Sequence, residues 1–174
     1  LTSAVWSQDY PGKPIRVVTA AAGGGGDFTS RLLAQGISGP LGQQIIVDNR
    51  PTGPIQGQLV SQAPPDGYTL SIAGSSVWIQ TLLRKNAGYD MVKDFAPISL
   101  IEMSVNVVAV HPSVPAKSVK ELIALAKARP GELSYGSAGV GGAGHLATEL
   151  FNSMAGLRVV HIPYKGAAQS LIDL

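Results

Sequence analysis

The chain has 174 residues, enough for one domain or two small lobes, and it is 45% hydrophobic and 14% charged. This composition favours a well-buried core over disorder. The 13 basic and 11 acidic residues leave a net charge of +2, and aromatic residues make up only 6%. Without a basic stripe or stacking aromatics, nucleic-acid binding is disfavoured. The chain has no cysteine, which excludes disulfides, thiolate metal sites and cysteine nucleophiles.

The N-terminal residues Leu1–Gln8 are apolar and small. They fit the tail of a secretory signal peptide whose charged and apolar regions are missing, and a frayed terminus is the alternative. No apolar run in the chain approaches the roughly 18 residues that span a bilayer. We therefore expect that the protein does not itself cross a membrane.

The first part of the chain predicts strands that alternate with helices. Strands are predicted over 15–20, 44–47 and 68–73, and helices over 28–37, 56–62 and 77–83. Asp27 is the expected N-cap of the first helix, and Gly39-Pro40 is expected to end it. The expected buried face of this helix carries Leu32, Leu33 and Ile37.

The second part of the chain continues the alternation. Strands are predicted over 96–103 and 105–110 as a crossing between lobes, then over 133–136 and 158–162. Ser118-Val119-Lys120-Glu121 is a capping-box pattern that predicts a helix beginning at Ser118. Another helix is predicted from Leu146, and a last one begins after Ala168. The alternation predicts α/β layers with largely parallel sheets.

Two loops that follow predicted strands are rich in glycine, Ala22–Asp27 and Ser137–His145. Each is expected to leave backbone N–H groups unpaired at a helix start, where the partial positive charge favours an anion. Two such loops predict two lobes that grip an anionic ligand. Gly74-Ser75-Ser76 is a third small polar loop, and all three belong at the carboxyl ends of strands. The alternative is that the glycines only permit tight turns.

A dinucleotide-binding fingerprint is half present in each glycine loop. The four consecutive glycines Gly23–Gly26 admit no G-x-G-x-x-G spacing, although Asp48 stands about where a ribose-binding acid would. The second loop has the spacing within Gly139–Gly144, but its next strand ends at His161. A nucleotide-dependent α/β enzyme is therefore the alternative function. A Walker P-loop is excluded because no Gly-Lys-Ser/Thr follows either loop.

Other chemistry finds little support in the sequence. His145 and Glu149 share a predicted helical face, but a zinc site needs a third ligand, so no metal is expected and His145 is expected to hydrogen-bond locally. No G-x-S-x-G elbow is present and the carboxylates are scattered, so no catalytic group is predicted. Tyr164 and Lys165 are within reach of a ligand if their strand-end loop faces it; a plain surface loop is the alternative.

Segments spread along the whole chain resemble one protein family. In order, they are Tyr10–Arg16, Ala22–Asp27, Asp48–Pro51, Pro65–Leu70, Lys93–Leu100, His111–Leu122, Ser134–His145 and His161–Gly166. From Tyr10 to the last residue the chain resembles the Bug receptors, the periplasmic solute-binding proteins of tripartite tricarboxylate transporters.

The resemblance implies an α/β, two-lobed fold of the periplasmic-binding-protein type II class, the Venus flytrap. It implies an exported, periplasmic protein that captures a small organic carboxylate between its lobes for membrane transporter subunits, without catalysis or a cofactor. It also implies ligand contacts in the three small-residue loops. The expected ligand-binding residues are Ala22, Gly23, Gly24, Gly25, Gly26, Asp27, Ser75, Ser76, Ser137, Ala138, Gly139, Gly142, His145 and Tyr164.

The chain departs from the family pattern in two places. After Asn49-Arg50-Pro51 the family continues with a glycine-rich stretch, whereas this chain has Thr52–Gly57, so we assign no ligand role there. Family members also continue well beyond Leu174, so the C-terminal part is expected to be missing. The expected lobes are 1–102, the N-terminal part of the first, and 103–174, an incomplete second, with a hinge near 100–105.

Overall fold

The computed structural model describes residues 10–51 and 54–174, and its strands form two parallel sheets. The predicted signal-peptide tail, Leu1–Gln8, lies outside the described residues, as do Thr52 and Gly53. The strands are β1 (Ile15–Thr19), β2 (Ile45–Asn49), β3 (Thr69–Ser71), β4 (Ser134–Ser137) and β5 (Val160–Pro163). The helices are α1 (Gly25–Leu41), α2 (Pro54–Ser61), α3 (Ser75–Leu83), α4 (Val119–Ala128), α5 (Ala143–Ala155) and α6 (Ala167–Ile172).

The first sheet has the order β2-β1-β3, and both of its strand pairs are parallel. Ile15 lies opposite Ile45, and Arg16 lies opposite Thr69. The central strand β1 forms the core, since Val17 and Val18 are buried. A parallel strand covered on both faces reads as a continuous apolar run, which is why this strand was predicted correctly.

Helix α1 is longer than predicted: it begins earlier, at Gly25, and ends later, at Leu41. Its N-cap is Gly24, and Asp27 lies inside the first turn, so the prediction that Asp27 is the N-cap was wrong. The helix continues past Gly39-Pro40 and ends at Leu41, because Gly42 adopts the left-handed conformation (φ 66°) that terminates helices.

The buried face of α1 differs from the prediction at Leu32, whereas Leu33 and Ile37 are half-buried. Leu32 is 60% exposed, whereas Thr29 and Ser30 are buried. The first turns approach β1 too closely for large side chains: a Cβ on Gly26 would lie 3.0 Å from Thr19 Oγ1. Small residues therefore make this contact, which the apolar periodicity did not reveal.

The strands predicted over 96–103 and 105–110 do not form within the described residues. The apolar side chains of this segment are exposed, Ile98 at 80% and Val105 at 88%. A strand needs a neighbour that pairs with its backbone N–H and C=O groups, and no described strand lies beside this segment. The apolar composition was a correct observation, but composition alone does not supply a pairing partner.

The second sheet pairs β4 with β5 in parallel, with Tyr135 opposite His161. Helix α6 packs closely on β4, since a Cβ on Gly136 would lie 2.2 Å from Ser170 Oγ. The prediction that Ser118 caps α4 is confirmed, because Ser118 Oγ accepts a hydrogen bond from Glu121 N at 3.2 Å, while Glu121 Oε2 accepts from Lys117 N at 2.7 Å. The alternation of strands and helices and the parallel sheets are likewise confirmed.

We expect Gly57→Ala to lower the free energy of unfolding by about 1–3 kcal/mol, because the added methyl group overpacks the core. A Cβ there would lie 2.3 Å from the Tyr89 ring, whose hydroxyl is held by a 2.6 Å hydrogen bond to Val77 O. The matched control is Gly36→Ala, also within a helix, where a Cβ meets nothing within 4 Å. Urea denaturation checks both variants; equal stability of the two would contradict the packing argument.

Candidate functional site

Four of the helices that follow strands begin after a glycine. The N-caps are Gly24 before α1, Gly74 before α3, Gly142 before α5 and Gly166 before α6, none with a side-chain hydrogen bond. By contrast α4, which follows the long irregular segment, is capped by Ser118. A glycine cap has no side-chain oxygen that could accept from the first N–H groups of its helix. These donors therefore remain available to a ligand.

The carboxyl ends of the two sheets face each other. The loop after β1 contacts the start of α6: a Cβ on Gly23 would lie 3.3 Å from Ala168 Cβ, and one on Gly166 would lie 3.5 Å from Ala21 Cβ. Helix α3 contacts the loop after β4, where Gln80 Nε2 donates to Val140 O at 3.2 Å. The loops that follow strands of both sheets thus contact one another, at the edge where α/β folds place their ligands.

Asp27 holds the first glycine loop in shape. Its Oδ2 accepts from Gly23 N at 2.9 Å, and its Oδ1 accepts from Arg31 Nε at 2.8 Å and from Asn49 Nδ2 at 2.9 Å. The Gly23 N–H lowers the pKa of Asp27 most, helped by Asn49 and Arg31 and opposed by burial. The carboxylate therefore stays ionised with its oxygens occupied. Its role as a ligand contact stays a prediction.

The N–H groups that remain at the start of α1 belong to Gly25, Gly26 and Asp27. None of the three has an acceptor among the described residues, since the first bond of the helix runs from Phe28 N to Gly24 O at 3.0 Å. Gly25 is exposed and a Cβ there would meet nothing within 4 Å, so there is open space beside its Cα. Ser75 and Ser76 occupy the equivalent first turn of α3.

The second glycine loop is fixed by two polar side chains. Ser137 is 6% exposed, and its Oγ accepts from Gly139 N at 3.2 Å and lies 2.7 Å from His161 Nε2. His145 Nδ1 accepts from Gly141 N at 3.2 Å, which is the kind of local hydrogen bond predicted for this residue. Gly142 and Ala138 lie in the same loop. The loop is therefore held at both ends by hydrogen bonds.

Three stacked rings lie beneath this loop. The centroids of Tyr135 and His161 are 4.8 Å apart, and those of His161 and His145 are 4.2 Å apart. The Tyr135 hydroxyl donates to Glu149 Oε1 at 2.6 Å. Burial, and then His145, lower the pKa of His161, while Glu149 opposes them. Sequence reasoning missed Tyr135 and treated His161 as a plain strand-end residue. The pairing of β4 with β5 places these two residues opposite each other.

Tyr164 lies at the carboxyl end of β5 and contacts the loop mainly through its backbone. Its N–H donates to Ser137 O at 2.9 Å, while its hydroxyl donates to Asp173 Oδ2 at 2.9 Å. Among the described residues its side chain is thus engaged with the end of α6. Its predicted contact with a ligand stays a prediction, as does that of Ala22, which is exposed in the first loop.

In the part of the chain that the structure describes, His, Asp and Glu side chains form no group of three that could hold a metal ion. The described helices are all too short or too polar to cross a membrane.

Two small α/β sheets whose glycine-rich loops face one another define the fold of a periplasmic solute-binding protein. The structure matches adipate-bound Rpa4515 of R. palustris with a TM-score of 0.91 and 38% identity, over 95% of this chain and 57% of that chain. It also matches the periplasmic binding protein BugD with a TM-score of 0.83 and 30% identity, over 95% of this chain and 56% of that one.

The family model for the tripartite tricarboxylate transporter family receptor (TctC) matches residues 29–174, and the chain belongs to this family. Protein BugT of Bordetella pertussis is 33% identical over 179 residues, covering 100% of this chain and 55% of BugT. The chain thus spans about half the length of such relatives. The predicted resemblance to Bug receptors and the fold class are confirmed, and the nucleotide-dependent alternative gains no support.

We expect Asp27→Asn to lower the free energy of unfolding at neutral pH by about 1–3 kcal/mol, because it removes hydrogen bonds to an ionised acceptor. In the folded state the pKa of Asp27 lies below its ordinary value of 3.8. The carboxylate therefore stabilises the fold fully above pH 3.8, and this stabilisation is lost as the pH falls through the pKa of the folded state. The variant should therefore lose less stability in acid. Urea titrations at several pH values check this, with exposed Glu132→Gln as control; identical acid profiles for Asp27→Asn and wild type would contradict it.

A second pH dependence comes from His161, which faces His145 and Glu149 on α5 and Tyr135 and Ser137 on β4. In the folded state the pKa of His161 is below the ordinary value of 6.5. His161 therefore leaves the free energy of unfolding unchanged above pH 6.5 and lowers it as the pH drops from 6.5 toward the pKa of the folded state. We expect His161→Phe to flatten this part of the stability profile. The measurement is thermal unfolding across this pH range, with exposed His111→Phe as the control. A slope unchanged by His161→Phe alone would refute the assignment.

Proposed function

We propose that this protein is a receptor that captures a small organic carboxylate between its two sheets. The observation that carries the proposal is the set of helix starts of α1, α3 and α5, each capped by a glycine without a side-chain bond, on facing edges of the two sheets. Carboxylates suit such a place because the donors and the helix dipoles both favour negative charge. The structure of Rpa4515 of R. palustris, which is 38% identical, contains adipate, a dicarboxylate.

In the proposed mechanism, one carboxylate of the ligand accepts hydrogen bonds from Gly25 N and Gly26 N. Each helix start contributes about 0.3–1 kcal/mol of charge attraction when exposed and up to about 2 kcal/mol when partly buried. Direct and water-bridged hydrogen bonds supply the rest. The ionised Asp27 does not repel the ligand strongly, because Arg31 pairs with it at 2.8 Å.

The facing loop of the second sheet, Ser137–Gly142, closes on the ligand. The proposed contacts are those expected from the sequence, namely Ala22, Gly23, Gly24, Gly25, Gly26, Asp27, Ser75, Ser76, Ser137, Ala138, Gly139, Gly142, His145 and Tyr164. Closure is a hinge motion between lobes at 1–102 and 103–174, with the hinge near 100–105. A hydrogen bond from Thr29 Oγ1 to Glu102 Oε2 joins this segment to the first turns of α1.

The partners follow from the family. Receptors of this family serve tripartite tricarboxylate transporters, so the proposed protein works in the periplasm and hands its ligand to the membrane subunits. The groups gathered at the site are backbone donors and small polar side chains. They suit reversible binding of an anion, and the proposed function is capture without chemical conversion.

Isothermal titration calorimetry tests the proposal with adipate and a panel of mono- and dicarboxylates, beside NAD and ADP. We expect a carboxylate to bind and both nucleotides to fail. Gly25→Glu places a competing carboxylate in open space near the α1 donors and should weaken binding by about tenfold or more. Its matched control is Gly36→Glu, on the same helix and equally free of contacts. Nucleotide binding without acid binding would overturn the proposal.

A further inference from the structure

Gln80 on α3 is a buried polar side chain that crosses from the first sheet's helices to the second glycine loop. It is 1% exposed, and buried polar groups require partners. Its Nε2 donates to Val140 O at 3.2 Å, and its Oε1 accepts from Arg84 Nε at 2.8 Å. Both the nitrogen and the oxygen of the side-chain amide are therefore engaged in hydrogen bonds.

Arg84 decides which end of the amide faces the loop. It is the C-cap residue that follows α3, four positions after Gln80, and its guanidinium group can only donate. The amide oxygen of Gln80 must therefore face Arg84, which leaves the amide nitrogen to donate to the carbonyl oxygen of Val140. The direction of the bond to the loop follows from the chemistry of the donor behind it.

The loop itself is shaped to receive this contact. Gly141 has a φ of +80°, which favours glycine, and a Cβ there would lie 2.7 Å from Gln80 Nε2 and 3.0 Å from Leu83 Cδ1. The N–H of the same residue donates to His145 Nδ1 at 3.2 Å. Val140 C=O and Gly141 N–H belong to one peptide group. That peptide is thus held on one side by Gln80 from α3 and on the other by His145 from α5.

We propose that Gln80 is a positioning residue for the ligand site, which clamps the peptide between Val140 and Gly141 together with His145. Turning this peptide turns the adjoining loop residues, including Gly139 and Gly142. The clamp sets the second glycine loop in its ligand-ready conformation only while α3 lies against it, and so couples that loop to the helices of the first sheet. The inference rests on the proposed function, whose second set of contacts it explains.

Two variants of nearly the same shape separate the parts of the clamp. Gln80→Glu keeps an acceptor for Arg84 but turns a carboxylate oxygen toward Val140 O, whereas Gln80→Met removes both hydrogen bonds. The matched control is Gln56→Met. Gln56 is 3% exposed and donates to Val18 O at 3.1 Å and Ile72 O at 2.8 Å, all within the first sheet and its surroundings.

Hydrogen–deuterium exchange of residues 138–145 without ligand gives a readout independent of binding. We expect exchange there to accelerate about threefold to tenfold in Gln80→Met and more in Gln80→Glu, corresponding to the loss of one net hydrogen bond and to added repulsion. The dissociation constant for adipate should rise by a similar factor. Gln56→Met should lower the melting temperature and leave loop exchange unchanged.

Arg84→Met provides a second route if the Gln80 variants do not fold. Arg84 is exposed, and its loss removes only the donor that orients the amide; a smaller change in the same direction is expected. Loop exchange that rises no more in the Gln80 and Arg84 variants than in Gln56→Met overturns the clamp, as does faster exchange with unchanged adipate affinity. If wild-type protein binds no acid while loop exchange still responds to Gln80, the clamp stands and the proposed function fails.

Discussion

The parallel direction of the strands is the constraint on which the site depends. Parallel strands send all their carboxyl ends to the same edge of a sheet, so the loops after β1 and β3 share one edge and those after β4 and β5 share another. Each of these loops leads into a helix that begins after a glycine, and no side chain takes the first donors. Because the two edges face each other, the free donors of both sheets lie on the same side of the molecule, which suits a small anion.

Free donors are useful only if the backbone that carries them is rigid, and polar side chains provide that rigidity. Asp27 ties Gly23 to α1 and to Asn49 at the end of β2, so three segments of the first sheet are joined at one carboxylate. In the second loop, Ser137 and His145 hold the backbone of Gly139 and Gly141. These groups lie below the donors and leave the open side of each helix start to a ligand, so shaping the loop and binding the anion fall to different atoms.

Local signals predicted the elements that depend on local physics. The buried run of β1 and the Ser118 cap of α4 were correct, because burial on both faces and a side-chain cap leave marks within a few residues. Asp27 was misplaced because a carboxylate three residues into a helix resembles a cap in sequence, and Leu32 was misplaced because close approach to β1 selects Ser30 and Gly26 instead. The segment 96–110 has strand-like composition without a described pairing partner, which composition cannot reveal.

The sequence by itself determined the class of the fold, the glycine-rich loops after strands and the family, because these are written in neighbouring residues and in motifs that keep their order. Only the tertiary structure decided which loops face each other, that Gln80 reaches Val140 across 60 positions of the chain, and that Tyr135, His161 and His145 stack. The physical reason is that such contacts arise only when elements that are distant in sequence pack together. Periodicity along the chain describes how each element buries its own face, and it carries no information about the distant element that will cover it.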